Sequence, residues 1–311
     1  MNPMIRLECI SLASGQTIPI PEANIICLGN FDGVHLGHRA LLRRAKQLQA
    51  TDPKFHSASC AVFCFREHPS ALLGRSTAQL CTLEQKLEAF AAEGMNCVIF
   101  ADFFEIRDLS PDEFAQTVLV ELCHCQAAVC GFNYRYGKGG LGTPDQLQST
   151  LPARVEILEE ITAFGDTVSS SRIRALLSQG EVQTAALLLN RPYSFTSSVL
   201  HGKQLGRRLG TPTINQTIPK GLQIPLRGVY ITECKIGNKS YRGVSNIGVH
   251  PTVDADAPVN CETYLLDFSG DLYGQTVTVS LLAFLRPEQR FESLDALRTQ
   301  ILADVDRARN F

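Results

Sequence analysis

Two histidines three residues apart, His35 and His38, stand in the stretch GNFDGVHLGH, with glycines at 29, 33 and 37 and one carboxylate, Asp32. An apolar run precedes the stretch and a helical pattern follows it, so it spans a helix N-terminus, where unpaired N–H groups and the helix dipole attract anions. Glycines let the main chain approach a ligand and imidazoles add donors, so the chemistry that fits is phosphate binding. Asp32 keeps two readings, a magnesium ligand or a cap for the loop. A second cluster, SSSRIR, opens another helix with three serines and sets Arg172 and Arg174 at its start, where guanidinium groups can hold phosphate oxygens. In a third, HGKQLGRRLGTPTIN, Gly202, Gly206 and Gly210 alternate with Lys203 and Arg207, and Thr213 and Asn215 follow. Such a loop can wrap phosphates, and Thr213 and Asn215 offer two hard oxygens for a magnesium ion.

These groups need two different frameworks. A chain of 311 residues exceeds the size of one core, and two domains are expected, residues 1–188 and 189–311. The first alternates apolar runs (NIICLGNF, SASCAVFCF, NCVIFADF, QAAVCGF, VEILEEI) with helical patterns, which predicts an α/β fold with a parallel sheet. Thr82 with Gln85, and Ser110 with Pro111 and Glu113, read as capped helix starts, and Gly94 as a stop. The helical pair SSSRIRALLSQG and EVQTAALLLNRP ends at Pro192. Beyond it, short alternating strands with a Gly237-Asn238 hairpin turn predict a small antiparallel barrel or sandwich. The last helix, capped by Ser293, carries Leu294, Leu297, Ile301, Leu302 and Val305 on one face and is expected to close over that barrel. GKGGLG, residues 137–142, matches G-x-G-x-x-G, but no helix is expected after it, so it does not read as a dinucleotide loop.

A formal charge of −2 gives no field for nucleic acid or an anionic membrane, and no run reaches the roughly 18 apolar residues of a membrane span. Eleven scattered cysteines suit small apolar roles in a reducing compartment, and CHCQAAVC (Cys123–Cys130) reads as a strand rather than a zinc site. The expectation is a cytoplasmic protein, a monomer or weak homo-oligomer, with small-molecule partners.

GNFDGVHLGH resembles the adenylyl-binding motif of the nucleotidylyltransferase superfamily, and its F-D-G form resembles that of the bacterial bifunctional riboflavin kinase/FMN adenylyltransferases, also called FAD synthetases. FREHPSALL, LSPDEFAQTVLVELCHCQAAVCGFNYRYG and VSSSRIRALLSQGEVQTAALLLNRPY are similar to further segments of that family. HGKQLGRRLGTPTIN resembles the riboflavin kinase flap with its P-T-x-N motif, and CETYLLDFSGDLYGQTVTV and LRPEQRFESLDALRTQI continue the likeness. The resemblance implies a Rossmann-like nucleotidylyltransferase domain followed by a β-barrel riboflavin kinase domain with a C-terminal helix. It implies phosphorylation of riboflavin to FMN, then adenylylation of FMN to FAD with release of pyrophosphate, using ATP and Mg2+ or another divalent cation. It also implies roles. His35, His38 and Arg174 become catalytic for adenylylation. Gly29, Asn30, Phe31, Asp32, Gly37, Asn133, Arg135, Ser170 and Arg172 join the nucleotide and flavin contacts. Glu262 becomes the base that takes the riboflavin hydroxyl proton, and Arg286 a flavin contact. The chain departs from the family at Glu67, where proline is usual, and in Gly137–Gly142. These departures keep an alternative: riboflavin kinase alone, with an inactive or nucleotide-binding N-terminal domain.

Overall fold

A computed structural model describes residues 20–67, 69–74, 77–201, 211–249 and 259–311, together with the backbone of 6–10. Contacts divide the chain into two compact units, residues 1–77 with 82–169, and residues 78–81 with 170–311.

The first unit is built on a six-stranded sheet of β1 (Arg6–Ile10), β2 (Asn24–Leu28), β3 (Ser59–Cys64), β4 (Cys97–Ala101), β5 (Cys125–Gly131) and β6 (Arg154–Leu158). The strands run in the order β1-β4-β3-β2-β5-β6, with every pair parallel. Central strands β2 and β4 are buried along their whole length, as parallel strands covered on both faces must be. Alternate residues feed two cores. Ile26, Leu28 and Phe63 pack with Phe114, Val118 and Leu119 on one face. Ile25, Cys27, Val62 and Phe100 pack on the other with Phe90 and with Leu41, Leu42 and Leu48 of α1 (Leu36–Thr51). Strand β1, at the sheet edge, is absent from the expected strands: its sequence, RLECI, alternates polar and apolar residues as an edge strand does.

Local signals held where they were strongest. Thr82 and Gln85 form a reciprocal capping box, as do Ser110 and Glu113 with Pro111 at the first turn, and that helix continues as π-helical turns over Phe114–Leu122. A short hairpin, β7 (Thr162–Ala163) and β8 (Asp166–Thr167), turns through Phe164 and Gly165, both at positive φ. One expectation needs correction. A seven-residue helix, Pro144–Thr150 capped by Thr143, follows GKGGLG, where none was expected. The segment is still not a strand–glycine–helix loop. Tyr136 and Gly142 exchange backbone hydrogen bonds, and a Cβ at Gly142 would strike the Tyr136 ring at 2.7 Å, so the glycine is required by close packing.

The second unit opens with the helices Ser170–Ser178 and Val182–Leu189 and continues into an antiparallel sheet. Its strands are β9 (Tyr193–Ser198), β10 (Thr213–Thr217), β11 (Gly228–Ile236), β12 (Lys239–Val249), β13 (Val259–Leu265) and β14 (Thr276–Arg286), in the order β10-β13-β12-β11-β14-β9. The Gly237-Asn238 turn joins β11 to β12 with Ile236 paired to Lys239. The sheet curls until its edges approach. Leu200 bridges Asn215, and the buried Gln216 amide on β10 donates to Ser197 O and Val277 O at 2.8 Å each.

The C-terminal helix, Leu294–Arg309, packs on the outer face of this sheet with Val305 and Ala308 against Val229, Ile231, Val244 and Ala283. Its buried stripe differs from the expected one. Leu294 and Leu302 are 60% and 53% exposed, whereas Asp304 is 1% exposed. The real stripe rotates toward Asp304 and Ala308 because an arginine on the sheet receives the aspartate.

Candidate functional site

In an open parallel sheet, ligands bind beyond the strand carboxyl ends where the strand order reverses. Here β2 connects to β3 on one side and neighbours β5 on the other, so the switch point lies between the ends of β2 and β5. The Gly29–His38 loop leaves β2 at that point, and the exposed Asn133 and Arg135 follow β5.

The loop is strained. Phe31 and Val34 have φ of 52° and 46°, a region costly for a β-branched residue; Phe31 precedes a short 3-10 turn over Asp32–Val34 and Val34 ends it. Asp32 is buried there. Phe31 is fully buried and packs on Phe90 and His38, with ring centroids 5.3 and 5.1 Å away, so its side chain supports the site rather than facing a ligand. His35 caps α1, its Nδ1 accepting from the His38 amide at 3.4 Å, which leaves its proton on Nε2. The two imidazoles stack, with centroids 3.7 Å apart and planes 17° from parallel. Gly37 makes this possible, because a Cβ there would press on the His35 ring at 3.2 Å. Burial lowers the His35 pKa to about 4. His38 is pushed well below its ordinary value by burial, then by His35 and by Lys86. Both rings are therefore neutral N–H donors and acceptors at neutral pH.

Two groups at this end of the sheet escaped sequence reading. Lys86, on the helix Leu83–Ala92, donates from Nζ to Asn30 O at 3.2 Å. A run of aromatic rings, Phe104–Phe103–Phe65–Phe63–Phe114–Tyr136–Tyr134, passes the ends of β3, β4 and β5 at centroid spacings of 5.3 to 6.2 Å. The rings are far apart in sequence, and only the parallel sheet gathers them. Glu67 is exposed just after β3.

Ser170, Arg172 and Arg174 belong to the second unit, on its first helix. Arg174 Nε donates to Ala78 O at 2.6 Å. Ala78 lies in the short segment bound to this unit through Gln79, which exchanges backbone hydrogen bonds with Gly221 and Gln223.

On the barrel, register assembles a polar row. Asn215 of β10 lies opposite Glu262 of β13, and Glu262 lies opposite Asn246 of β12. Directly paired residues share a face, so these three side chains line one surface, with Thr213 and Tyr264 one step along it. Asn246 continues the row to Val229 and on to Arg286 of β14. The opposite face is interior, where Thr232, Ser245 and Thr263 link hydroxyls at 2.8 and 2.7 Å. Asn246, absent from the sequence-based site, donates to Glu288 Oε1 at 3.2 Å. Gly202, Lys203, Gly206, Arg207 and Gly210 lie outside the described residues. Among the described residues no cluster of three His, Cys, Asp or Glu side chains could hold a metal.

Arg286, expected as a flavin contact, is already held. Nη2 and Nε donate to Asp304 Oδ2 at 2.8 and 3.0 Å, Nη1 donates to Pro287 O, and Gln300 donates to Asp304 Oδ1. This pair locks the C-terminal helix to the end of β14. Asp304→Ala strands a largely buried guanidinium and is expected to cost about 3 kcal/mol. A lower denaturant midpoint for the barrel checks this, and an unchanged midpoint refutes the anchoring role.

Two family profiles match the chain. The FAD synthetase profile matches residues 17–172 and the riboflavin kinase profile residues 189–311. A bifunctional riboflavin kinase/FMN adenylyltransferase from Listeria monocytogenes is 34% identical over 293 residues, 92% of each chain. One from Pseudomonas fluorescens is 38% identical over 290 residues, again 92% of each. A crystal structure described as a macrolide-efflux protein from Streptococcus pneumoniae has a TM-score of 0.89 and 28% identity, covering 99% of this chain and 100% of that one. Among the described residues of the present chain, no helix is long and apolar enough to cross a membrane. The chain belongs to the bifunctional riboflavin kinase/FMN adenylyltransferase family.

Proposed function

We propose that the chain phosphorylates riboflavin to FMN with ATP and then transfers AMP from a second ATP to FMN, giving FAD and pyrophosphate. Residues 1–188 serve the adenylylation and residues 189–311 the phosphorylation. The observation that carries the reading is the coexistence of two chemically different constellations. One is a capped, neutral histidine pair at a sheet switch point. The other is the Asn215–Glu262–Asn246 row on the barrel.

Adenylylation has an anionic nucleophile, the FMN phosphate, so it needs position and charge stabilisation rather than a strong base. His35 and His38 donate to the α-phosphate, with the α1 N-terminus behind them. Gly29, Asn30, Asp32 and Gly37 frame the nucleotide, and Asn133 and Arg135 contact ribose or flavin. Ser170, Arg172 and Arg174 keep the phosphate-binding role that the family likeness implies. The less buried members of the aromatic run, Phe65, Phe103 and Phe104, suit a flat flavin ring. Phosphorylation has a neutral nucleophile, the riboflavin 5′-hydroxyl, and Glu262 accepts its proton. The oxygens of Thr213 and Asn215 on the same face suit a hard divalent cation such as Mg2+, which would neutralise charge on the transferred phosphate. Gly202, Lys203, Gly206, Arg207 and Gly210 keep the phosphate-binding role that the family likeness implies, and Arg286 borders the flavin while anchored to Asp304. A cytoplasmic setting, as a monomer or weak homo-oligomer, belongs to the same proposal. The ten described cysteines, all free and buried, are compatible with a reducing compartment.

The test is a time course of purified protein with riboflavin, ATP and magnesium, resolved chromatographically. FMN is expected first and FAD after it. FMN without FAD would leave riboflavin kinase as the sole activity and turn attention to Glu67 and Lys138.

A further inference from the structure

Among its described residues the first unit carries two buried cations close to the histidine loop, and only one of them pairs with a described carboxylate. Arg39, 7% exposed, pairs with Glu93. Lys86 is 9% exposed, and no carboxylate among the described residues pairs with it. Its hydrogen-bond partner is a neutral one, the carbonyl of Asn30 in the loop between β2 and α1. An ammonium has three N–H donors, and among the described residues Asn30 takes one of them. A buried charge without a counterion is costly, and a fold that retains one loses stability unless an anion arrives.

The position is well fixed. Lys86 lies in the first turn and a half of a helix whose start is locked by the Thr82–Gln85 capping box. Phe90, one turn on, packs edge-on against Phe31, which in turn touches His38. Lys86 thus reaches the loop main chain at Asn30 and lies close enough to His38 to act on its charge. The two imidazoles are uncharged at neutral pH, burial being the main cause, with Lys86 adding to the effect on His38. They cannot provide a positive charge for a polyphosphate.

We propose that Lys86 supplies the fixed positive charge that holds an anionic phosphate of the nucleotide against the His35–His38 pair, making it a substrate-contacting residue of the adenylylation site. The assignment rests on the adenylyltransferase reading. In the free protein the ammonium is held ready by Asn30 O; when the triphosphate or pyrophosphate binds, its N–H groups donate to phosphate oxygens.

The experiment compares full-length wild type with Lys86→Gln, Lys86→Met and Lys86→Arg in four readouts: FAD formation from FMN and ATP, riboflavin phosphorylation, thermal unfolding, and calorimetric titration with inorganic pyrophosphate. Glutamine keeps a donor for Asn30 O without charge, and arginine keeps the charge. Loss of one such stabilising donor predicts a fall of about 100-fold in kcat/KM for FAD formation with glutamine and methionine, and recovery of at least about tenfold of that by arginine. Pyrophosphate binding weakens by a similar order, riboflavin phosphorylation is unchanged, and the free variants unfold at the same or a higher temperature, because an uncompensated charge has been removed. FAD formation by Lys86→Gln within about threefold of wild type overturns the proposal, since one lost charged contact is worth far more. So does a lowered unfolding temperature with equal loss in all three variants, which marks a purely structural lysine. If wild type forms no FAD, the adenylyltransferase reading fails on its own. Pyrophosphate titration then decides Lys86, weaker binding by the glutamine variant sustaining it and unchanged binding overturning it.

Discussion

His38→Ala is expected to halt synthesis at FMN: FAD formation falls by about 100- to 1000-fold while riboflavin phosphorylation by the same chain is unchanged. The size follows from the chemistry assigned to the ring. Nucleophile and leaving group are both phosphate oxygens, so the barrier is lowered by donors placed where charge develops, and a water-excluded donor is worth far more than an exposed one. His38 is half-buried between Phe31 and the His35 ring, its Nδ1 has no hydrogen-bond partner among the described residues, and burial lowers its pKa. Deleting a buried ring also leaves a cavity, so His38→Asn is the companion variant, and kinase activity reports whether the chain remains folded. FAD formation by both variants within about tenfold of wild type would remove the histidine pair from the chemistry.

The same burial fixes a pH signature. Folding holds His35 and His38 neutral, whereas the unfolded chain has ordinary imidazoles with pKa near 6.5. Below that value the unfolded state binds more protons than the folded one, so stability falls as pH drops from about 6.5 toward about 4 and these groups contribute no pH dependence above it. Ring-proton NMR of the free protein should show His35 titrating near 4. A midpoint near 6.5 would mean that the loop is open to solvent and the stacked arrangement is not the resting state.

What could be read from sequence divides along a physical line. Caps and turns are local: Thr82 and Gln85 meet across one helical turn and Gly237-Asn238 closes a two-residue hairpin, so neighbouring residue types determined them. The H-x-G-H loop was legible for the same reason, its glycine making room for the ring two residues earlier. Side chains whose role depends on tertiary partners were not. Lys86 looks like any polar position of an amphipathic helix until the sheet brings Asn30 to it. Asn246 gains meaning only through the register that sets it beside Glu262. In the C-terminal helix, apolar periodicity pointed to Leu294 and Leu302, but the buried ion pair of Asp304 with Arg286 rotated the packed face, and hydrophobicity alone gives no reason to bury an aspartate. Phe31 illustrates the converse: a motif residue that reads as a binding contact turns out to be the floor under His38.

Glu262→Gln should abolish FMN formation from riboflavin, with a loss of about 100- to 10,000-fold, and leave conversion of added FMN to FAD intact. The amide keeps the volume and most of the hydrogen-bonding capacity of the carboxylate, so the strand pairing with Asn215 and Asn246 has no reason to change. What it cannot do is accept a proton. Riboflavin presents a neutral hydroxyl whose proton must leave as the oxygen attacks the γ-phosphate, and the Asn215–Glu262–Asn246 row contains one group able to take it, flanked by two amides that cannot. Asn246→Asp sharpens the test by placing a second carboxylate directly across from Glu262, where mutual repulsion raises the pKa of the pair and shifts the acid limb of the kinase profile upward. If Glu262→Gln keeps FMN formation within about tenfold of wild type, proton removal is not its contribution. The row would then serve only to orient substrates, because an amide that replaces a base without loss was never standing in for one.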